Sequence, residues 1–275
     1  MASIQHLTDQ DRLTVIAPHP DDESLGVGGI IWQARQKNIP VSVIFLTNGD
    51  GNRVGVAQHY HRLLPKAEQY RNYGRMRQKE AVRALGHLGV TPEFIHFLGL
   101  PDLGLTRILQ PKYAQVAYRS RFTKTTTVPY STTFAPHLAY AKIPARSTLR
   151  HLIDLTEPTI ILLPLLDDTH SDHRAAARLA IEAARQGPDS PAIYAYPIHY
   201  KFFPKPAGQN SSLPLLPPTM HPRTDWENVA LVPKARLAKE KAISEYQSQL
   251  QIPLLGKLMY SLVRSNELLL PLTHA

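Results

Sequence analysis

The chain has 275 residues, 43% of them hydrophobic, a net charge of +9 and no cysteine. That length and apolar content suit one large α/β domain, expected over 1–275, while the missing cysteines exclude disulfides, thiolate catalysis and Cys-based zinc sites. The opening "MASIQHLTDQDR" lacks the basic-then-apolar build of a signal peptide, and the longest aliphatic run, "TIILLPLL", is far shorter than the ~20 residues of a membrane span, so a soluble, cytoplasmic protein is expected.

The first predicted strand is "LTVIA" (13–17), followed directly by "PHPDDES" and a helix over 26–38. A second strand, "VSVIFLT" (41–47), precedes a helix over 66–89, in which Ala81, Ala84, Leu85 and Leu88 form an apolar face. A third strand lies at 94–100. Residues 103–144 then read as a long basic insertion: between Asp102 and Asp154 there is no acid, but Arg107, Lys112, Arg119, Arg121, Lys124, Lys142, Arg146 and Arg150 all occur. The fourth strand (159–166) leads through "LLDDTHSDH" into a helix over 172–186, and the fifth lies at 192–197. A loop with seven prolines (197–224) and a helix over 234–250 complete the pattern. Strands alternating with helices predict an α/β fold with a Rossmann-like open, mainly parallel sheet, flanked by helices and carrying long inserted loops.

In such sheets ligands bind in the crevice beyond the carboxyl ends of the strands. Two histidine- and acid-rich loops fall there: His19, Asp21, Asp22 and Glu23 after the first strand, and His170, Asp172 and His173 after the fourth. Acids at a helix start also suit the helix dipole, with Asp22 or Ser24 as cap. Both loops together offer more, since two imidazoles and a carboxylate with an open position are the ligand set of a catalytic zinc site, and a divalent metal would relieve the repulsion among adjacent carboxylates.

With these motifs the chain resembles the LmbE-like, or PIG-L, zinc-dependent de-N-acetylases. "APHPDDE" matches the family's A-H-P-D-D-E with one extra proline, Pro18, and "HSDH" matches H-x-D-H. "RQKEAVRALGHLG", "FLGLPDLGL" and "KAISEYQSQ" are weaker matches in family order. The resemblance implies that His19, Asp22 and His173 bind Zn2+, that Asp21 is the general base, and that His170 faces the reacting carbonyl, oriented by Asp172. It places Arg77 and Asp102 where the substrate is held. The implied reaction removes an acetyl group from an N-acetylglucosamine-type small molecule, giving acetate and a free amine, with Asp21 or His170 protonating the leaving amine.

The basic insertion has no family template. Leaving the expected pocket rim at Asp102, it is expected to fold over the mouth as a lid, with Arg107, Arg119, Arg121 and Lys124 meeting an anionic extension of the substrate such as a phosphate. Two other readings stay open. The same His/His/carboxylate set serves non-haem iron, so Fe2+ is a second metal to test. A nucleic-acid-binding module would use Tyr113, Tyr118, Phe122 and Tyr130 as stacking partners among the cations, but its phosphates would be repelled by the two acidic loops.

Overall fold

A computed structural model of the chain describes residues 4–184, 190–219, 221 and 223–272. The β-branched runs expected as strands form β1 (Leu13–Ala17), β2 (Val41–Thr47), β3 (Ile95–Leu100), β4 (Ile160–Pro164) and β5 (Ala192–Tyr196). Between them lie α1 (Asp22–Gln36), α2 (Arg53–His59), α3 (Ala67–His87), α4 (Leu105–Ile108), α5 (Lys142–Thr156) and α6 (Ser171–Ala184). Beyond β5 follow β6 (Glu227–Ala230), α7 (Pro233–Ser244), α8 (Gln247–Leu250), α9 (Leu255–Tyr260) and β7 (Asn266–Pro271).

These strands make a seven-stranded sheet in the order β3-β2-β1-β4-β5-β7-β6. The five expected strands pair in parallel, and β7 and β6 extend the sheet antiparallel. Every residue of β1, β2 and β4 is buried, as the period-two alternation requires when helices cover both faces. Val15, Val43 and Phe45 pack with α1, α3 and α7 on one side, and Ile16, Ile44 and Leu46 with α5 and α6 on the other. Strand order reverses between β1 and β4, and the two histidine- and acid-rich loops leave these two strands side by side at that switch point.

Several elements depart from expectation. The first helix begins at Asp22, not Gly26, which puts Asp22 and Glu23 in its first turn. Its backbone breaks at Val27 (φ −141°). The freed groups are met by a buried ion pair: Lys239 Nζ donates to the Leu25 carbonyl (2.8 Å) and to Glu267 Oε1 (2.6 Å), while Glu267 accepts the N–H groups of Gly29 and Ile30, each at 2.8 Å. The helix expected over 234–250 ends at Ser244 and resumes at Gln247. Residues 185 and 186 of the helix expected over 172–186 lie outside the described residues.

The basic stretch is no lid. Its last residues, from Lys142, open α5, with Pro144 in the first turn, where a helix tolerates proline. Of the rest, α4 packs against α6 and the residues after it pack at the β3 edge. Phe122 meets Tyr70 (ring centroids 5.2 Å apart), Val128, Tyr130 and Tyr140 join the core, Tyr140 Oη donates to the Gly99 carbonyl (3.2 Å), and the Phe134 N–H bonds the Phe97 carbonyl (2.8 Å). Of the four aromatics expected as stacking partners for nucleic acid, Phe122 and Tyr130 are buried and Tyr113 packs edge-on against Tyr118. The Pro-rich loop is built around buried Arg264, whose guanidinium donates to the carbonyls of Gly208 (3.1 Å), Asn210 (3.0 Å) and Pro206. Prolines leave carbonyls without matching N–H partners, and a guanidinium's fan of donors meets that need. No described helix is long and apolar enough to cross a membrane.

Candidate metal centre and active site

The β1 and β4 loops bring His19, Asp21, Asp22, His170, Asp172 and His173 together. Asp22 Oδ2 lies 3.1 Å from His19 Nδ1 and 3.1 Å from His173 Nε2, and it also accepts the His19 backbone N–H at 2.9 Å. His173 is fully buried, and its Nε2 has no hydrogen-bond partner of adequate geometry. Each ring is backed by a carboxylate on its other nitrogen, Asp168 Oδ2 at 3.1 Å from His173 Nδ1 and Asp102 Oδ1 at 3.3 Å from His19 Nε2. Metal-binding histidines are oriented by such partners.

The cluster offers ligand atoms for a divalent metal. The two 3.1 Å separations around Asp22 Oδ2 are close to the ~3.3 Å between donor atoms of a tetrahedral ion, and three groups bring their ligand atoms close enough to hold one: His19 with His170 and His173, Asp22 with His173 and His199, and His19 with Asp102 and Asp172. Charge agrees with geometry. Burial would raise Asp22, but His173 and His19 hold it well below the ordinary carboxylate range. His173, pulled down by burial, is lifted to about 9 by Asp22 and Asp168, and burial of His19 is outweighed by Asp102, Asp172 and Asp22, which raise it well above its usual value.

Asp21 stands beside this set. It occupies a positive-φ conformation (φ 124°) that a side chain rarely adopts, fixed by three anchors: Arg77 Nη2 donates to Asp21 Oδ2 (3.0 Å) and to the Pro20 carbonyl, and the Asp21 N–H donates to Glu23 Oε2 (3.1 Å). Glu23 is held in turn by Tyr246 Oη. Burial drives the Asp21 carboxyl up to about 8 against the opposing pull of Arg77. Arg77 is itself positioned by α3 and donates to the Gly49 carbonyl at 3.1 Å. Only glycine serves there, since φ is +62° and a Cβ would come within 1.7 Å of Arg77 Nη1. The Glu80 carboxylate, three residues on, accepts Ser248 N–H (2.9 Å) and Oγ–H (2.6 Å), tying α3 to the late "YQSQ" stretch.

His170 lines the cavity, but the expected carboxylate contact from Asp172 is not formed. His170 Nδ1 accepts the backbone N–H of Asp172 at 3.3 Å, which leaves Nε2 as the protonated nitrogen of a neutral ring; burial and the neighbouring His19, His173 and His199 push its pKa down to about 3. The Asp172 carboxylate turns instead to the Leu103 N–H (2.6 Å) and towards His19 Nε2 (3.8 Å), because α6 starts at Ser171 and directs it there. Asp102 accepts the Gly51 N–H (2.5 Å) and lies against His19, and the charge of that ring outweighs burial to hold it at about 2.

Two residues escaped the sequence reading. His199 lies in one possible metal-holding group with Asp22 and His173; its only signal was its position just past the fifth strand. Asp168 accepts from His173 Nδ1, from the His170 N–H (2.7 Å) and from the His199 N–H (3.1 Å), knotting the β4 loop. The resulting cavity, about 340 Å³, is lined by His19, Asp21, Asp22, Arg77, Asp102 and His170, with buried Gln249 and Met259 and the exposed Arg53 also in its wall. Of the basic insertion only Leu103 reaches it.

Comparison with known proteins adds a family and a fold. Residues 14–184 match the family described as GlcNAc-PI de-N-acetylase, PIG-L. A 44-residue stretch, 16% of the chain, is 48% identical to the probable N-acetyl-alpha-D-glucosaminyl L-malate deacetylase 2 of Bacillus subtilis (strain 168), of which the match spans only 20%. Among solved structures, the N,N'-diacetylchitobiose deacetylase from Pyrococcus horikoshii superposes with a TM-score of 0.58 at 19% identity, over 95% of this chain and 84% of that one. The 4-carboxy-2-hydroxymuconate hydratase of Pseudomonas putida KT2440 superposes with a TM-score of 0.55 at 16% identity, over 91% and 83%. One fold therefore carries two chemistries, and the choice between them rests on the site.

Proposed function

The chain belongs to the GlcNAc-PI de-N-acetylase (PIG-L) family, and on that premise we propose that it is a zinc-dependent hydrolase removing the acetyl group from a small N-acetylglucosamine-type substrate. The observation that carries this reading is the convergence of His19 Nδ1 and His173 Nε2 on Asp22 Oδ2 beside a buried, arginine-held Asp21. His19, Asp22 and His173 would hold the zinc, which would supply Lewis acidity toward water and an amide carbonyl.

The remaining steps belong to side chains. Asp21 has one oxygen engaged by Arg77 and the other to take a proton from the attacking water. The neutral His170 offers an Nε2–H to the oxyanion developing on the acetyl carbonyl; loss of one such donor costs about 3 kcal/mol of transition-state stabilisation. As the C–N bond breaks, Asp21 returns its proton to the leaving nitrogen, so acetate and a free amine result. Asp102 and Asp168 hold the ligand rings, and Asp102 also lines the cavity where the substrate would be held. A cavity of about 340 Å³ accommodates one sugar. For a substrate with a phosphate, the exposed cation of the cavity wall is Arg53, in place of those of the basic insertion.

The test is to incubate zinc-loaded protein with N-acetylglucosaminyl compounds and follow primary amine and acetate. The two products should appear in equal amounts, vanish with chelator and return with zinc. Elemental analysis of protein purified without added metal separates zinc from iron, and absence of amine release across the set would exclude the deacetylase reading.

A further inference from the structure

The loop between α2 and α3 carries the two most exposed large apolar side chains among the described residues, Leu63 at 93% and its neighbour Leu64 at 81%. The backbone holds them out. The His61 N–H closes α2 on the Gln58 carbonyl (3.2 Å) and the Arg62 N–H on the Ala57 carbonyl (2.9 Å), while the Lys66 N–H bonds Gln69 Oε1 (2.8 Å) at the start of α3. Leu63, Leu64 and Pro65 alone span the gap between these caps, and the residue before a proline is held to extended backbone, so the span is too short for either leucine to fold back onto the helices. Val54, 59% exposed, lies on α2 itself. Leu254, 78% exposed, follows Gln251, whose carbonyl accepts from Gln58 Nε2 of α2 (2.6 Å). The charge around these side chains has one sign. No acid occurs between Asp50 and Glu68 or between Glu245 and Glu267, whereas Arg53, Arg62, Lys66 and Lys257 are all exposed. Among the described residues no carboxylate comes within ion-pair distance of any of the four.

We propose that this tip docks the protein on an anionic lipid surface, with Leu63 and Leu64 entering the headgroup layer and Arg62 and Lys66 meeting the lipid anions. Single exposed apolar side chains are ordinary on a protein surface. An adjacent pair of leucines among unpaired cations is instead the composition of an interfacial anchor, in which apolar groups enter the acyl boundary and Lys or Arg are drawn to anionic headgroups. Other occupants satisfy one half of the tip and not the other. In a two-fold contact between copies of the chain, cations would face cations. A nucleic acid would meet the cations and offer the leucines no apolar surface. Since α2 also lends Arg53 and Val54 to the wall of the metal-centre cavity, docking by this tip brings that cavity to the bilayer surface. Docking needs neither zinc nor deacetylation, so its test reads binding alone.

Cosedimentation of the full chain with vesicles of phosphatidylcholine alone, and of phosphatidylcholine with phosphatidylserine, measures the partition directly. The parent should bind the anionic vesicles and not the neutral ones. Binding should weaken between about 0.1 M and about 1 M salt, as the Debye length falls from about 10 Å to about 3 Å. A Leu63→Ser, Leu64→Ser variant should partition about tenfold more weakly or worse, and an Arg62→Gln, Lys66→Gln variant about fivefold more weakly for each cation removed. Both should keep the parent's circular dichroism, because all four side chains are exposed. The fluorescence of a Leu64→Trp variant should move to the blue on anionic vesicles and be quenched by lipids brominated in their acyl chains, over the constant contribution of Trp32 and Trp226. A parent that stays unbound, or a Leu64→Trp variant whose emission does not move on bound vesicles, would overturn the proposal. So would a Leu63→Ser, Leu64→Ser variant that binds as well as the parent, which would place the attraction in other cations of the chain. Self-association that this variant abolishes, with no lipid binding by the parent, would assign the tip to a second copy. Binding to soluble polyglutamate as tight as to vesicles would assign it to an acidic protein.

Discussion

Arg77 Nη2 lies 3.0 Å from Asp21 Oδ2, and both residues are buried. The guanidinium also takes the carbonyls of Pro20 and Gly49, so it fixes both the carboxylate and the backbone turn that presents it. Asp21→Asn keeps the shape of this arrangement and removes the proton acceptor. It should retain metal and lower kcat by about two orders of magnitude or more. Near-normal turnover in metal-replete Asp21→Asn would remove Asp21 from the reaction.

Arg77→Met tests the same pair from its other side. Burial raises Asp21 and Arg77 opposes it, so losing the guanidinium raises the carboxyl further. The active base is the ionised form, and the acid limb of the kcat/KM profile should therefore move to higher pH. An unmoved limb would mean that the limb reports another group.

Asp50 gives a pH dependence of stability. Burial and the nearby Asp102 raise it to about 7 from 3.8, although its bond from Tyr130 Oη pulls the other way. Between about pH 4 and 7 the folded protein holds a proton that the unfolded chain has lost, so this site's contribution to stability declines as pH rises through that window and is level above it. Asp50→Asn should flatten the Tm-against-pH curve there and be more stable than the parent at pH 8. Parallel curves for the two proteins would show that Asp50 does not titrate in that range.

The Lys239–Glu267 pair at the break in α1 is fully buried. Lys239→Met strands a charged Glu267 and should cost about 3–5 kcal/mol in urea unfolding. Adding Glu267→Gln removes that charge, so the double variant should lose less than the sum of the two single losses. Additive losses would mean that the two side chains act independently.

What was legible in the sequence was local. β1 to β5 are β-branched runs, and the two His/Asp motifs follow β1 and β4, so parallel strands were enough to bring them together. What was not legible depends on distant partners. His199 has no motif around it and joins the cluster only because β5 lies beside β4. The carboxylate of Asp172 turns from His170 because the Leu103 N–H arrives from β3's loop. The cations at 103–144 suggested a lid, but Phe122, Tyr130 and Tyr140 in the same stretch carry more apolar area and draw it into the core at the β3 edge. β6 and β7 were missed because "ENVA" is half-exposed and "NELLLP" does not alternate; their strand form comes from pairing with each other.

Zinc content after dialysis, measured for the parent and for His173→Ala, tests the metal centre most directly. His173 Nε2 is the buried, unpartnered donor, and Asp168 fixes its ring from behind. The parent should hold about one zinc per chain and His173→Ala almost none, with both remaining folded by circular dichroism. Stoichiometric zinc retained by folded His173→Ala, or a parent that binds none, would contradict the assignment of His19, Asp22 and His173 as the ligands.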